Sequence, residues 1–167
     1  MERDPKLDAL VMKYGKVYQN CAQTSFLTML ERNNIECDVP NFVRALTAFP
    51  GIGGTGETCG SVSGALMAMG LALGPTDPAN KAQSGKCHMA SHQFCEAMKK
   101  EFGSTDCGGI IEGLCGRRYD LSNPEEAKQY AEAGGIMKCV NVGQTAVHIA
   151  TRILEESANR GGKVQPK

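Results

Sequence analysis

The pattern of apolar and polar positions along the chain is helical rather than stranded. Apolar residues recur every three to four positions in several segments, and few runs alternate with a period of two. The strongest segment, residues 59–73, carries Val62, Leu66, Met69 and Leu73 at helical spacing and is apolar around most of its circumference. We expect this segment to be the central core helix. The pattern predicts an all-α fold, a compact bundle of about six to seven helices with Gly-rich loops.

Capping residues mark the ends of several other predicted helices. Asn20 is an N-cap for a helix over residues 20–34, and Gly103 ends a helix over residues 88–104. Further helices are predicted over residues 5–14, 40–48, 107–114, 124–133 and 139–157, with a polar loop over 75–86. We expect a single domain over residues 1–158 and a disordered tail over residues 159–167.

The length and charge of the chain narrow its class. At 167 residues it is long enough for one domain with a real core. Lys and Arg together number 18 and so do Asp and Glu, which predicts no binding of nucleic acid or an anionic membrane. The longest apolar stretch, residues 64–74, is too short to span a bilayer, and the first ten residues lack the apolar core of a secretory signal. These features predict a cytoplasmic protein without membrane or nucleic-acid partners.

The chain contains eight cysteines, which adds candidate chemistry to this picture. A reducing compartment keeps thiols reduced, so this number of cysteines indicates metal or redox chemistry rather than a disulfide scaffold. Four of them occur at the start of a predicted helix. Cys21, Cys59 and Cys107 each directly follow an Asn, Thr or Asp, which are favoured N-cap residues, and Cys139 opens a strongly periodic helix. Thr58 is the predicted cap of the central helix.

A helix start favours an anion, because its N–H groups are unpaired and the helix dipole is positive there. A thiolate, the form that binds metal or reacts, should therefore form more easily at this position. Four such thiols could converge on one point of the fold. Alternatively, Cys59 is a buried free cysteine that packs as a small hydrophobic residue.

The other four cysteines have different surroundings in the sequence. Cys37 lies in a polar turn and Cys87 lies in a loop. Cys95 is itself part of an apolar stripe and is predicted to lie in the core. Cys115 ends a short helix and could be a spare thiol near the site.

Other candidate sites are weaker. His88, His92 and Cys95 share one helix face, which suits a transition metal, but Cys95 fits the apolar stripe and no carboxylate orients either imidazole. We expect His148 to be packed or at the surface rather than a catalytic base. The string "GIGGTG" at 51–56 lacks the Lys-Ser/Thr ending and the preceding strand of a phosphate loop, so we interpret it as a close-approach loop before the next cysteine.

Several strings together resemble a known family. "NCAQ" at 20–23, "GIGGTGETCGSVSGALMAMGL" at 51–71, "FGSTDC" at 102–107 and the cysteine at 139 are similar to the C-GCAxxG-C-C family of small bacterial and archaeal proteins, described as redox-active. The resemblance covers about residues 18–156. The family string has Gly-Cys-Ala where this chain has Thr58-Cys59-Gly60.

The resemblance implies that Cys21, Cys59, Cys107 and Cys139 are the functional set. It also extends to a related domain of split-Soret cytochromes, which carry haem and an iron–sulfur centre. This chain contains no C-x-x-C-H, so covalent haem is not expected. It contains no C-x-x-C either, so only tertiary structure could assemble a metal site.

The favoured hypothesis is a small redox protein that binds a [2Fe-2S] or [4Fe-4S] cluster through these four cysteines and exchanges electrons with a partner protein. One alternative is a thiol/disulfide oxidoreductase, with Cys59 as the activated nucleophile and Cys21 or Cys107 as the resolving thiol. Another is a structural subunit of a larger complex with zinc in the four-thiol site. The apolar surplus of the central helix leaves room for a homodimer.

Overall fold

The computed structural model describes residues 3–159, which form eight right-handed α-helices and no β-strand. The helices are α1 (Pro5–Tyr18), α2 (Cys21–Asn33), α3 (Val39–Leu46), α4 (Gly60–Leu73), α5 (Lys81–Phe102), α6 (Cys107–Cys115), α7 (Pro124–Glu132) and α8 (Gly135–Asn159). The all-α prediction is therefore confirmed, with slightly more helices than expected.

A left-handed turn, Gly51–Gly54, connects the end of α3 to the loop before α4. All four of its residues have positive φ, including 56° at Gly51 and 47° at Ile52. Glycine adopts this region without the penalty that a Cβ imposes, which explains three glycines in one turn. The turn reverses the chain and directs it towards Cys59.

Side-chain caps place most helix ends where the sequence predicts them. The Asn20 side chain accepts hydrogen bonds from the backbone N–H groups of Ala22 and Gln23, each at 3.1 Å. Helix α5 ends at Phe102, and its C-cap is Gly103, whose φ of 76° lies in the left-handed region. The Asn20 and Gly103 predictions are confirmed because both depend on local hydrogen bonding.

Several predicted boundaries are wrong, including the end of α1, which runs to Tyr18 rather than to residue 14. The polar loop over 75–86 ends early, because Asn80 caps α5 by accepting a 3.0 Å hydrogen bond from the Gln83 N–H. The last helix begins at Gly135 rather than at 139, directly after Gly134 adopts a φ of 73°. Asn159, expected in the tail, is the last residue of α8, and residues 160–167 lie outside the described residues.

Helices α2, α4 and α8 form the centre of the bundle, and α2 packs against α4 more extensively than any other pair. Gly64 makes this crossing close, since a Cβ there would overlap the carbonyl oxygen of Ala22. Val62, Met69 and Leu73 are buried on α4 and Leu66 is half-buried, so the predicted central core helix is confirmed. Among residues 3–159, not even α4 or the longer helices have the length and apolarity needed to cross a membrane.

Candidate functional site

The cysteines predicted to act together lie near one another. Cys59, Cys107 and Cys139 lie near enough to Cys21 for their thiolates to raise its pKa, and Cys59 and Cys139 do the same for Cys107. Cys59 is buried and the other three are half-buried. The fold thus gathers thiols from α2, α6, α8 and the start of α4 into one partly buried cluster, called the four-thiol cluster below.

Cys59 itself occupies the N-cap position of α4. The N–H groups of Ser61 and Val62 and the Ser61 hydroxyl lie near enough to its sulfur to favour the thiolate, but no side-chain hydrogen bond caps the helix. The prediction that Thr58 is the cap is therefore wrong. Cys59, one residue further on, holds the N-cap position through its backbone, because its carbonyl oxygen accepts the Val62 and Ser63 N–H groups at 2.9 and 3.0 Å.

A short backbone bridge connects Cys59 to Cys107. The Cys59 N–H donates to the Thr105 carbonyl at 2.9 Å, and the Cys107 N–H donates to the Glu57 carbonyl at 2.7 Å. These bonds belong to an isolated antiparallel bridge between the two loops. Backbone bonding therefore brings the starts of α4 and α6 together, although the two cysteines are far apart in sequence.

Cys21 is the first residue of α2 and lies beside the first residue of α4. A Cβ on Gly60 would overlap the Cys21 sulfur and would lie 3.0 Å from the Ala22 backbone nitrogen and 3.2 Å from the Pro50 Cα. The missing side chain at Gly60 leaves the space that this sulfur occupies. The family string has Ala where this chain has Gly60, and the space that the Cys21 sulfur needs explains this difference.

Cys139 is placed differently from the other three. It lies in the second turn of α8, so the prediction that it starts a helix is wrong. Its sulfur lies 2.7 Å from the hydroxyl of Tyr130, which donates a hydrogen bond to it. No motif marks Tyr130 in the sequence; the one available signal is a lone aromatic residue in a short polar helix.

The remaining cysteines separate into one neighbour of the cluster and three others. Cys115 lies near enough to Cys139 to raise its pKa, and the Lys138 ammonium lies 3.8 Å from the Cys115 sulfur. Cys87 belongs to α5, so its predicted loop position is wrong. Cys37 and Cys95 are half-buried against the core, so Cys37 is less exposed than a polar turn suggests.

Burial controls the protonation of the cluster. It raises the pKa of the Cys21 and Cys107 thiols to about 12, and neighbouring thiolates add to that rise. Burial also raises the pKa values of Cys59 and Cys139, against the opposing effect of the polar groups of Ser61 and Val62 near Cys59 and of the Tyr130 hydrogen bond at Cys139. The expectation that helix starts ease thiolate formation is wrong for the protein without a bound cation, because desolvation outweighs the N–H groups.

The donor set of the cluster suits a metal group by its chemistry, since four cysteine sulfurs are ligands that zinc and iron–sulfur centres both use. Within residues 3–159, however, no group of three or more His, Cys, Asp or Glu side chains is already arranged to hold a metal ion.

The histidines lie elsewhere. His88 and His92 are exposed on α5 and line a shallow surface depression with Met89. His148 is buried in α8, and its Nε2 lies 2.9 Å from a carboxylate oxygen of Asp8. This agrees with the expectation of a packed histidine.

Comparison with known proteins gives one match. A family model described as "Putative redox-active protein (C_GCAxxG_C_C)" matches residues 19–153, a range that contains the whole four-thiol cluster. No match was found among curated proteins or solved structures. The match covers most of the chain, and this protein therefore belongs to the C_GCAxxG_C_C family of redox-active proteins.

Proposed function

We propose that this protein transfers electrons through an iron–sulfur cluster held by Cys21, Cys59, Cys107 and Cys139. The observation that carries the proposal is the gathering of four thiols, from four separate parts of the chain, into one partly buried cluster. Four cysteine sulfurs are the ligand set that both two-iron and four-iron centres use.

The charges at the cluster support a cationic occupant. Burial keeps the thiols protonated when nothing is bound, with pKa values of about 12 at Cys21 and Cys107. Four thiolates at this place require a compensating positive charge, because each would otherwise raise the pKa of its neighbours. An iron–sulfur core provides that charge and supplies one-electron transfer.

The chain's own residues would set the environment of the centre. The N–H groups of Ser61 and Val62 lie near enough to the Cys59 sulfur to favour its thiolate, and Tyr130 donates a hydrogen bond to the Cys139 sulfur. Hydrogen bonds to ligand sulfurs and exclusion of water are two of the factors that determine the potential of such centres. The partial exposure of Cys21, Cys107 and Cys139 would bring the centre near the surface, where a redox partner protein can approach.

The test is anaerobic purification followed by iron, sulfide and zinc analysis. We expect a brown protein with iron and inorganic sulfide, which Ser substitution at any one of the four cysteines removes or makes labile. A Cys37→Ser/Cys87→Ser double variant is the matched control, because neither residue interacts with the cluster, and it should keep its iron. A His88→Ala/His92→Ala variant should keep it as well.

Three other results would contradict or replace the proposal. Full iron and sulfide in both Cys21→Ser and Cys139→Ser would show that the ligand set is wrong. Zinc without sulfide would indicate a structural metal site. A metal-free protein in which Cys59 alone is essential for disulfide exchange would indicate a thiol oxidoreductase, although the raised pKa of Cys59 is unfavourable for an activated nucleophile.

A further inference from the structure

One hydroxyl group beside the four-thiol cluster has two acceptors. The Tyr130 oxygen lies 2.7 Å from the Cys139 sulfur and 2.7 Å from the carbonyl oxygen of Gly135. A phenol carries one hydrogen, so it makes its full donor bond to one of the two acceptors at a time. A neutral Cys139 thiol can donate its own hydrogen to the phenol oxygen, which leaves the phenol hydrogen for Gly135.

The surrounding chain holds the Tyr130 ring in this position. The ring is buried and meets Tyr119 edge-on at a centroid distance of 5.5 Å. Gly135 leaves the space for it, since a Cβ there would overlap the ring. The Lys138 ammonium also donates to the Leu114 carbonyl at 2.9 Å, which fixes the start of α8 against the end of α6.

We propose that Tyr130 is a positioning residue that raises the reduction potential of the centre by donating a hydrogen bond to the Cys139 sulfur. This inference rests on the proposed function. Hydrogen bonds to charged acceptors are stronger than those to neutral ones. A ligand sulfur carries more negative charge when the centre is reduced, so the phenol stabilises the reduced state more than the oxidised state.

Tyr130 donates the hydrogen bond that the structure shows to a sulfur of the cluster, and a substitution can remove this donor cleanly. Replacing Tyr130 with Phe deletes one oxygen and keeps the ring between Tyr119 and Gly135. The Cys139 sulfur remains available as a ligand in that variant.

The experiment is a redox titration of anaerobically purified Tyr130→Phe beside the wild-type protein, with iron and sulfide measured in both. We expect equal iron content and a lower midpoint potential in the variant. For one-electron transfer, a shift of about 59 mV in the midpoint potential is a tenfold change in the equilibrium constant between the centre and a mediator. Tyr119→Phe is the matched control. It keeps the aromatic contact with Tyr130, and within residues 3–159 the Tyr119 hydroxyl makes no hydrogen bond, so the potential of this variant should stay at the wild-type value.

A second variant reaches the same hydrogen bond from the other side. Gly135→Ala displaces the Tyr130 ring while keeping its hydroxyl, so it should also lower the potential. An unchanged potential in Tyr130→Phe with full iron would overturn the inference and leave the proposed function intact. Loss of iron in Tyr130→Phe would show that the phenol holds the site together rather than tuning it. A wild-type protein without iron and sulfide would overturn both proposals.

Discussion

The two sides of the four-thiol cluster are built by different means. On one side, Cys59 and Cys107 are joined by reciprocal backbone hydrogen bonds between their loops. On the other side, Cys139 lies within a helix and is met by the side chain of Tyr130. We call these the backbone side and the side-chain side.

The difference indicates which parts of the site tolerate change. Backbone bonds persist through most substitutions, but they depend on the close approach of chain segments, which glycines permit. A side-chain donor can be exchanged without moving the chain, so it is the place where a property can be adjusted. We therefore expect the backbone side to determine whether the site forms and the side-chain side to adjust its properties.

The largest effect should come from breaking the helix crossing beneath the backbone side. In Gly64→Ala, the added Cβ would overlap the Ala22 carbonyl oxygen, which must force α2 and α4 apart. We expect the free energy of unfolding to fall by about 3 kcal/mol, near the upper end for overpacked cores. Urea unfolding followed by circular dichroism measures it.

Gly70→Ala is the control for that substitution, because it lies on the same helix and a Cβ there meets nothing within 4 Å. It should stabilise the protein by up to about 1 kcal/mol, the difference in helix propensity. Equal stability of the two variants would show that the α2–α4 crossing is not as close as described.

The stability of the metal-free protein should also depend on pH. The folded-state pKa of Cys21 and Cys107 is raised by burial from 9.0 to about 12, so the unfolded state loses these protons first as pH rises. Stability from these thiols is complete below pH 9 and is lost as pH rises towards 12. The loss is up to about 1.4 kcal/mol per pH unit for each thiol.

Urea unfolding between pH 8 and pH 10.5, with chelator and reductant present, checks this dependence. A Cys21→Ser/Cys107→Ser variant should show a flatter decline, since serine does not titrate in this range. Cys139→Ser should flatten it less, because the Tyr130 hydrogen bond opposes part of the effect of burial at Cys139. A decline that is the same in all three proteins would contradict the burial of Cys21 and Cys107.

The smallest expected effect separates a true cap from an apparent one. Asn20→Ala removes two hydrogen bonds to the N–H groups at the start of α2 and should cost about 1 kcal/mol. Thr58→Ala should change stability by less than about 0.5 kcal/mol, because no Thr58 side-chain bond caps α4. Thermal unfolding of both variants measures these losses of stability. A larger loss in Thr58→Ala than in Asn20→Ala would show that Thr58 caps α4 after all.

The sequence by itself predicted what depends on neighbouring residues. The all-helical pattern, the Asn20 cap, the Gly103 stop and the buried face of α4 all follow from propensities and contacts within a few residues. The same local reasoning selected Cys21, Cys59, Cys107 and Cys139 as a set. All four lie within the range that the family model matches. Their role as ligands remains a prediction.

Tertiary structure decided what depends on segments far apart in the chain. Thr58 has the right residue type for a cap, yet Cys59 is the N-cap residue because the bridge to the loop before α6 fixes the backbone there. The bond from Tyr130 to Cys139 exists only because Gly135 admits the ring. The raised thiol pKa values likewise follow from the whole surroundings of each sulfur, since desolvation sums over every group that displaces water and no local motif encodes that sum.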